Sequence, residues 1–370
     1  MRSEELVSAL VAIDSVNPDL VPGGAGEAEI AEFVAAWLGE AGLDVEVDEA
    51  APGRPSVVAV ARGTGGGASL MLNAHMDTVG VEGMERPFEP VVRDGRLYGR
   101  GAYDMKASLA ACMLAARRVA TEELSGDVIV AAVADEEYAS IGMQSVLASR
   151  GADHAIVTEP TGLRVCVAHK GFVWAEIETE GRAAHGSRPA EGVDAITRMA
   201  PVLGRLAELQ AKLDAVPGHE LVGPGSVHAS LIEGGQELSS YPARCRLSLE
   251  RRTAPGESAD DFARECDALV DGVPGAEVRM GLVRPPFAVD PEAEVVQAVS
   301  RAAEAVTRRA PEVCGETYWM DAALIQAAGI QTVVFGPGGA GAHAVDEWVD
   351  LASVDACSDS LVEAARYLCV

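Results

Sequence analysis

Five short segments place imidazole or carboxylate side chains where an apolar run stops or the following turn begins. In Leu72-Asn-Ala-His75-Met-Asp77, His75 emerges from such a run and Asp77 follows two residues on, so a strand points both to one face. A metal-bound imidazole commonly gives its second N–H to a carboxylate, and Asp77 is placed to accept it. A His–Asp hydrogen bond without metal fits this motif alone equally well. In Gly99-Arg-Gly101-Ala-Tyr-Asp104-Met-Lys106 the glycines make a close turn that presents Asp104 at the start of a helix, as a ligand or as an N-cap. Val133-Ala-Asp135-Glu136-Glu137-Tyr138 follows a strongly apolar strand, and three adjacent carboxylates there repel one another unless a cation or proton neutralises them. The abrupt change from VIVAAVA to DEE favours a site over a solvated acidic loop. Ile156-Val-Thr158-Glu159-Pro160 ends another apolar strand on a carboxylate, and a Gly-rich loop from Phe335 leads to His343. Taken singly, Glu159 also reads as an exposed turn glutamate before a proline, and His343 as incidental to a flexible loop.

Their joint occurrence carries more than any one of them. Two histidines and three carboxylates form a mixed nitrogen and oxygen set suited to two divalent ions, with zinc the first choice and cobalt or manganese acceptable. Such a pair, roughly 3.5–4 Å apart, can share one activated water and polarise a carbonyl. Other chemistries fit poorly. Gly63-Thr-Gly-Gly-Gly-Ala68 leads into a strand rather than a helix, so it reads as a β-turn and not as a dinucleotide loop. Ser187 and Ser226 lack the strand-to-helix glycine setting of a nucleophile elbow.

The elements that must position these residues alternate. Ile30, Phe33, Val34, Trp37, Leu38 and Ala41 follow helical spacing up to Gly42. Ser56–Ala61, Ser69–Ala74, Val128–Ala134 and Ala155–Thr158 read as strands, and Met105–Ala120 as an Ala-rich helix. Asp94–Gly95 between two β-rich runs signals a hairpin. Strands apolar on both faces and interleaved with helices indicate an α/β sandwich. Between them, Val165–Glu180, Gly192–Leu213, Ser226–Glu233, Ala243–Arg251, Ser258–Val270 and Ala276–Leu282 follow the β-α-β-β-α-β order of a ferredoxin-like α+β module. Helix Pro291–Arg308, strand Thr332–Phe335 and helix Val354–Leu368 restore the first pattern. The expected division is a catalytic domain (1–170), an insert (171–286) and the rest of the catalytic domain (287–370).

At 370 residues, two domains are the natural expectation. With 48% hydrophobic but only 4% aromatic residues, the cores must be built largely from Ala, Val and Leu. The formal charge of −28, with no basic cluster, disfavours nucleic acid and anionic lipid as partners. No apolar run approaches the roughly 20 residues that span a bilayer. The seven scattered cysteines include no CxxC pair and suit buried thiols in a reducing compartment. With an acidic, amphipathic N-terminal segment, these features point to a cytoplasmic protein.

In this order, HMDTV, GRGAYDMK, DEE, TEPT and the glycine loop ending in AHAVDE resemble the family of acetylornithine deacetylase, succinyl-diaminopimelate desuccinylase, aminoacylase-1 and carboxypeptidase G. The likeness covers essentially the whole chain, including an inserted lid or dimerisation domain. It implies a mixed sheet within the sandwich and a di-zinc catalytic domain in which His75 and Glu159 bind one ion, Glu137 and His343 the other, and Asp104 bridges them. It further implies that Asp77 orients His75, that Glu136 is the general base, and that a cis peptide follows Asp104. Gly181-Arg-Ala-Ala-His185-Gly-Ser-Arg-Pro189 resembles the motif whose histidine enters the partner subunit's active site, which implies a homodimer. The strand ending at Arg251-Arg252 resembles the one whose arginine binds the substrate carboxylate, and Arg252 suits that two-point grip. Where many relatives have asparagine, this chain has Ser239, Ser240 and Tyr241, and the contact from that loop is open.

The expected activity is hydrolysis of the amide of a small N-acyl amino acid, of the acetylornithine deacetylase type. A di- or carboxypeptidase or a desuccinylase would use the same ions and differ in the pocket. A non-catalytic metal-binding scaffold is the remaining alternative. Tyr318 and Trp319, before a helix, either shape the side-chain pocket or pack a core.

Overall fold

The computed structural model describes residues 2–370, which divide into two compact units. The first comprises the chain up to Val167 together with Val289–Cys314 and Met320–Val370. The second comprises Ala168–Ala288 and Gly315–Trp319.

The first unit is built on a mixed sheet. Its strands lie in the order Asp44–Ala51, Arg54–Ala61, Val128–Val133, Leu70–His75, His154–Val157, Gln331–Val334 and then the strand that begins at Val165. The four inner strands from Val128–Val133 to Gln331–Val334 are parallel, and Arg54–Ala61 and Asp44–Ala51 run antiparallel to their neighbours. Period-two alternation sends successive residues to opposite faces. Leu70, Leu72 and Ala74 thus enter a core with Ile30 and Val34 of helix Ala28–Glu40, Leu109 and Met113 of Ala107–Val119, and Val354 and Leu361 of Leu351–Leu368. Asn73 points the other way, and its Nδ2 lies 3.4 Å from the sulfur of Met143 on helix Ile141–Ser149. Helices therefore cover both faces, as an α/β sandwich requires.

A smaller four-stranded sheet joins Gly339–Ala340, Trp348–Asp350, Arg96–Tyr98 and Val91–Arg93. The Asp94–Gly95 turn closes its hairpin with both residues at positive φ, 51° and 75°, the conformation that matches strand twist.

The second unit has the expected β-α-β-β-α-β order. Strands Ser226–Gly234, Arg244–Thr253, Gly171–Glu180 and Ala276–Arg284 form one antiparallel sheet. Met199, Val202 and Leu206 of helix Ala195–Asp214, and Phe262, Cys266 and Leu269 of Ala259–Val270, pack against Val173, Ile177, Leu247 and Leu249. The continuous strand expected from Val165 to Glu180 is broken at Lys170 into Val165–His169 and Gly171–Glu180. Gly171 is needed at the break, because a Cβ there would meet the backbone of Arg284 and Pro285. Gly315–Trp319 joins this unit although it follows residue 287. The Trp319 indole donates to the Pro285 carbonyl at 3.1 Å and packs edge-on against His169 and Phe172. Tyr318 is half exposed, whereas Trp319 is buried.

All seven cysteines are buried free thiols. Among the described residues, no helix is long and apolar enough to cross a membrane.

Candidate metal centre

The four inner parallel strands end at one edge of the first unit's sheet, the side on which open α/β sheets carry their sites. His75 is the last residue of its strand. Val128–Val133 runs on into Ala134 and the Asp135-Glu136-Glu137 turn, where Asp135 adopts a left-handed φ of 66°. His154–Val157 is followed by Thr158 and Glu159, and Gln331–Val334 by the glycine loop that reaches His343, at φ 60°. Gly336 lets that loop pass close to its neighbour, since a Cβ would collide with the carbonyl oxygens of Thr158 and Glu159. Asp104 arrives from the turn after Arg96–Tyr98, followed by a cis Asp104–Met105 peptide.

Residues distant in sequence converge there. His75 Nε2 lies 3.1 Å from Asp104 Oδ1 and 3.7 Å from Glu159 Oε1. His343 Nε2 lies 3.3 Å from Asp104 Oδ2 and 3.1 Å from Glu137 Oε2. Each group of three offers ligand atoms within 4.8 Å of one another, and Asp104 belongs to both, one oxygen to each histidine.

The electrostatics suit a cation. Burial pushes the carboxyl of Glu136 well above its usual range, reinforced by the charge of Glu159. Burial and the Asp104 charge do the same to Glu159, and burial and Asp104 raise Glu137. For Asp104, burial is outweighed by hydrogen bonds from His343 and His75, which hold the carboxyl low. Its hydrogen bonds to Asp104 and Glu137 push His343 up to about 10. Burial opposes charge on His75, but its bond to Asp104 and the nearby Glu159 prevail and raise it. Glu137 Oε1 is buried without a hydrogen-bond partner. A buried acceptor left open beside an imidazole is the kind of donor atom a divalent cation takes up. The residues present therefore fit two such ions.

Asp77 acts through two groups. His75 Nδ1 lies 2.9 Å from the Asp77 backbone carbonyl and 3.6 Å from its carboxylate. The carboxylate is occupied instead by the backbone N–H groups of Glu136 and Glu137, at 3.1 and 3.2 Å, and by Asn17 Nδ2 at 2.8 Å. Asn17 also donates to Asp135 Oδ1 at 2.9 Å. Asp135 accepts from Arg54 Nη2 at 2.9 Å, and Arg54 forks onto Glu27 at 2.7 and 2.8 Å. Thus the first acid of the DEE run is neutralised by a buried guanidinium, while the other two face the ligand cluster. Asn17, Glu27 and Arg54 had no sequence signal beyond being polar residues beside apolar runs. Asp321, just ahead of helix Ala322–Ala327, is buried, and its charge helps raise Glu136.

The structure gathers His75, Asp77, Asp104, Glu136, Glu137, Glu159 and His343 in the first unit, while His185 and Arg252 belong to the second. His185 sits in an exposed turn, its Nδ1 2.7 Å from Ser187 Oγ, and forms a β-bridge with Ser240. Arg252 donates to Glu250 at 2.7 Å with its guanidinium 5.1 Å from the Phe172 ring centre.

The model of a family described as peptidase family M20/M25/M40 matches residues 71–367. An acetylornithine deacetylase of Myxococcus xanthus is 32% identical over 355 residues, 91% of each chain. An N-formyl-4-amino-5-aminomethyl-2-methylpyrimidine deformylase of Bacillus subtilis (strain 168) is 28% identical over 390 residues, 95% of this chain and 91% of that one. Among solved structures, a Staphylococcus aureus tripeptidase superposes with a TM-score of 0.82 at 22% identity, covering 100% of this chain and 98% of that one.

Proposed function

Since the chain belongs to peptidase family M20/M25/M40 and is thereby a hydrolase of amide or peptide bonds, we propose that it deacylates a small N-acyl amino acid with the help of two divalent cations, zinc in the first place. The observation that supports this most is one aspartate, Asp104, whose two oxygens each face a different histidine and carboxylate.

Bound ions would supply an activated water and polarise the scissile carbonyl. His75 and Glu159 would hold one, Glu137 and His343 the other, and Asp104 both. Glu136 takes the proton of the attacking water and returns it to the departing amine nitrogen. Asp77 fixes the His75 ring through its carbonyl and the Glu136–Glu137 backbone through its carboxylate. From the second unit, Arg252 is assigned to the substrate carboxylate and His185 to the oxyanion, acting in trans in a homodimer.

The reading is tested by stripping the protein with chelator, restoring two equivalents of zinc, cobalt or manganese, and offering N-acetyl, N-formyl and N-succinyl amino acids beside dipeptides. Fastest turnover is expected with an N-acetyl amino acid. Exclusive dipeptide cleavage would transfer the assignment to a peptidase, and a fully loaded protein that cleaves nothing would make it a scaffold.

Metal-linked stability follows from the same reading, because ions that bind only the folded chain stabilise it. At an ion concentration 100 times Kd, one site adds about 2.7 kcal/mol. Scanning calorimetry should show the melting temperature rising with added zinc and falling with chelator. A melt indifferent to both speaks against a built site.

A further inference from the structure

Glu347 lies four residues beyond His343, yet its carboxylate is spent on the turn that carries Asp104. The residue is 1% exposed. Its Oε1 accepts the backbone N–H groups of Tyr103 and Asp104 at 2.9 and 3.0 Å. Its Oε2 accepts the N–H of Gly101 at 3.0 Å and Arg100 Nη1 at 2.6 Å. Arg100, equally buried, returns the connection: Nη2 donates to the Ala344 carbonyl at 3.2 Å, beside His343, and Nε to the Gly80 carbonyl at 3.0 Å. The pairing of Tyr98 with Trp348 fixes the feet of both segments. Two ligand-bearing loops, about 240 residues apart in sequence, are thus joined by one buried ion pair whose every contact falls on one loop or the other, or on Gly80.

We infer that Glu347, with Arg100, is a positioning residue that sets Asp104 against His343 and so shapes the pocket for the second ion; this rests on the two-ion reading above. The chemistry is that of an outer carboxylate, which touches neither ion nor substrate and holds a ligand's backbone at the required place. The first pocket shares Asp104 but depends on the contact less, because His75 ends its own strand and Glu159 lies two residues beyond another. A glutamine at 347 keeps the shape but turns an N–H₂ group toward two donors, either Tyr103 and Asp104 or Gly101 and Arg100, so two of the four bonds are lost and the two loops part.

The test is calorimetric titration of stripped protein with cobalt, read together with the visible absorption of each bound ion. Wild type is expected to take two ions. Glu347→Gln should weaken one of them by about 10–100-fold, the usual cost of removing an outer-shell partner, and leave the other within threefold. Leu361→Ala, a cavity variant in a helix that carries no site residue, controls for lowered stability and should keep both ions. If Glu347→Gln does not fold, Arg100→Lys takes its place, keeping the three backbone bonds of Glu347 while giving up the fork to Gly80 and Ala344. Two ions of wild-type affinity in the variant overturn the positioning role and leave the two-ion reading standing. Wild type that binds fewer than two ions brings down that reading, and the inference with it.

Discussion

Glu136→Gln is expected to leave the fold and the content of bound ions intact while lowering kcat by about 10²–10⁴-fold, the usual contribution of a general base. The side chain stands between two kinds of neighbour. Its backbone N–H is held by Asp77 and its carboxyl is buried among Glu159, Glu137 and Asp321, all acting to favour the protonated form, with His75 opposing. A group in that setting can accept a proton from water and release it again within one cycle. Glutamine preserves size and the backbone contact and removes only the basic oxygen. The cluster that could hold ions includes Glu137 and not Glu136, so ion stoichiometry should not change. Steady-state kinetics with metal analysis on the same samples decides it, and unaltered turnover would remove Glu136 from its assigned role.

Arg54→Leu is expected to act on stability instead, by about 3–5 kcal/mol. The guanidinium is 7% exposed and meets Glu27 and Asp135, whose side chains are 0% and 1% exposed, and it also bonds Asp19. Removing it leaves two buried carboxylates without their cation, and the cost of that uncompensated charge exceeds anything leucine packing returns. The loss should be partly recovered in Arg54→Leu/Glu27→Gln, which neutralises one of them. Urea unfolding of ion-free protein measures both variants; a single-variant loss below about 1 kcal/mol would mean water reaches the cluster. Because Asp135 begins the turn that carries Glu136 and Glu137, the single variant should also lose turnover under conditions where it remains folded.

How much was legible in the sequence depends on how local each signal is. The strand ends were readable because an apolar run halts on a carboxylate or imidazole within a few residues, as Val128–Val133 does before Asp135. The α/β sandwich and the ferredoxin-like insert followed from hydrophobic period and element order. The strand Asp44–Ala51 was missed: its sequence DVEVDEAA alternates acids with valines, and Val47 is 54% exposed, so little apolar burial marked it. Helix Ile141–Ser149 was hidden for a related reason, being short and beginning after a serine at positive φ. Asn17, Glu27 and Arg54 could not be read at all. Each is a polar residue in an unremarkable stretch, and only tertiary contact joins them to Asp77 and Asp135. Asp77 stands two residues from His75 in sequence, but which of its oxygens meets the imidazole depends on the backbone path through Met76.

The exposed strand Asp44–Ala51 forms one margin of the large sheet, where unpaired backbone groups would invite another molecule to add a strand. Asp44, Glu46 and Asp48 alternate along it, with Asp44 and Glu46 tethered to Arg62 and Arg150. An identical strand docking there in a register that sets these positions opposite one another would bring like charges together. The acids that hid this strand from a reading of hydrophobic pattern thus act as its guard against self-association, keeping a Val- and Ala-rich fold from polymerising through its open side.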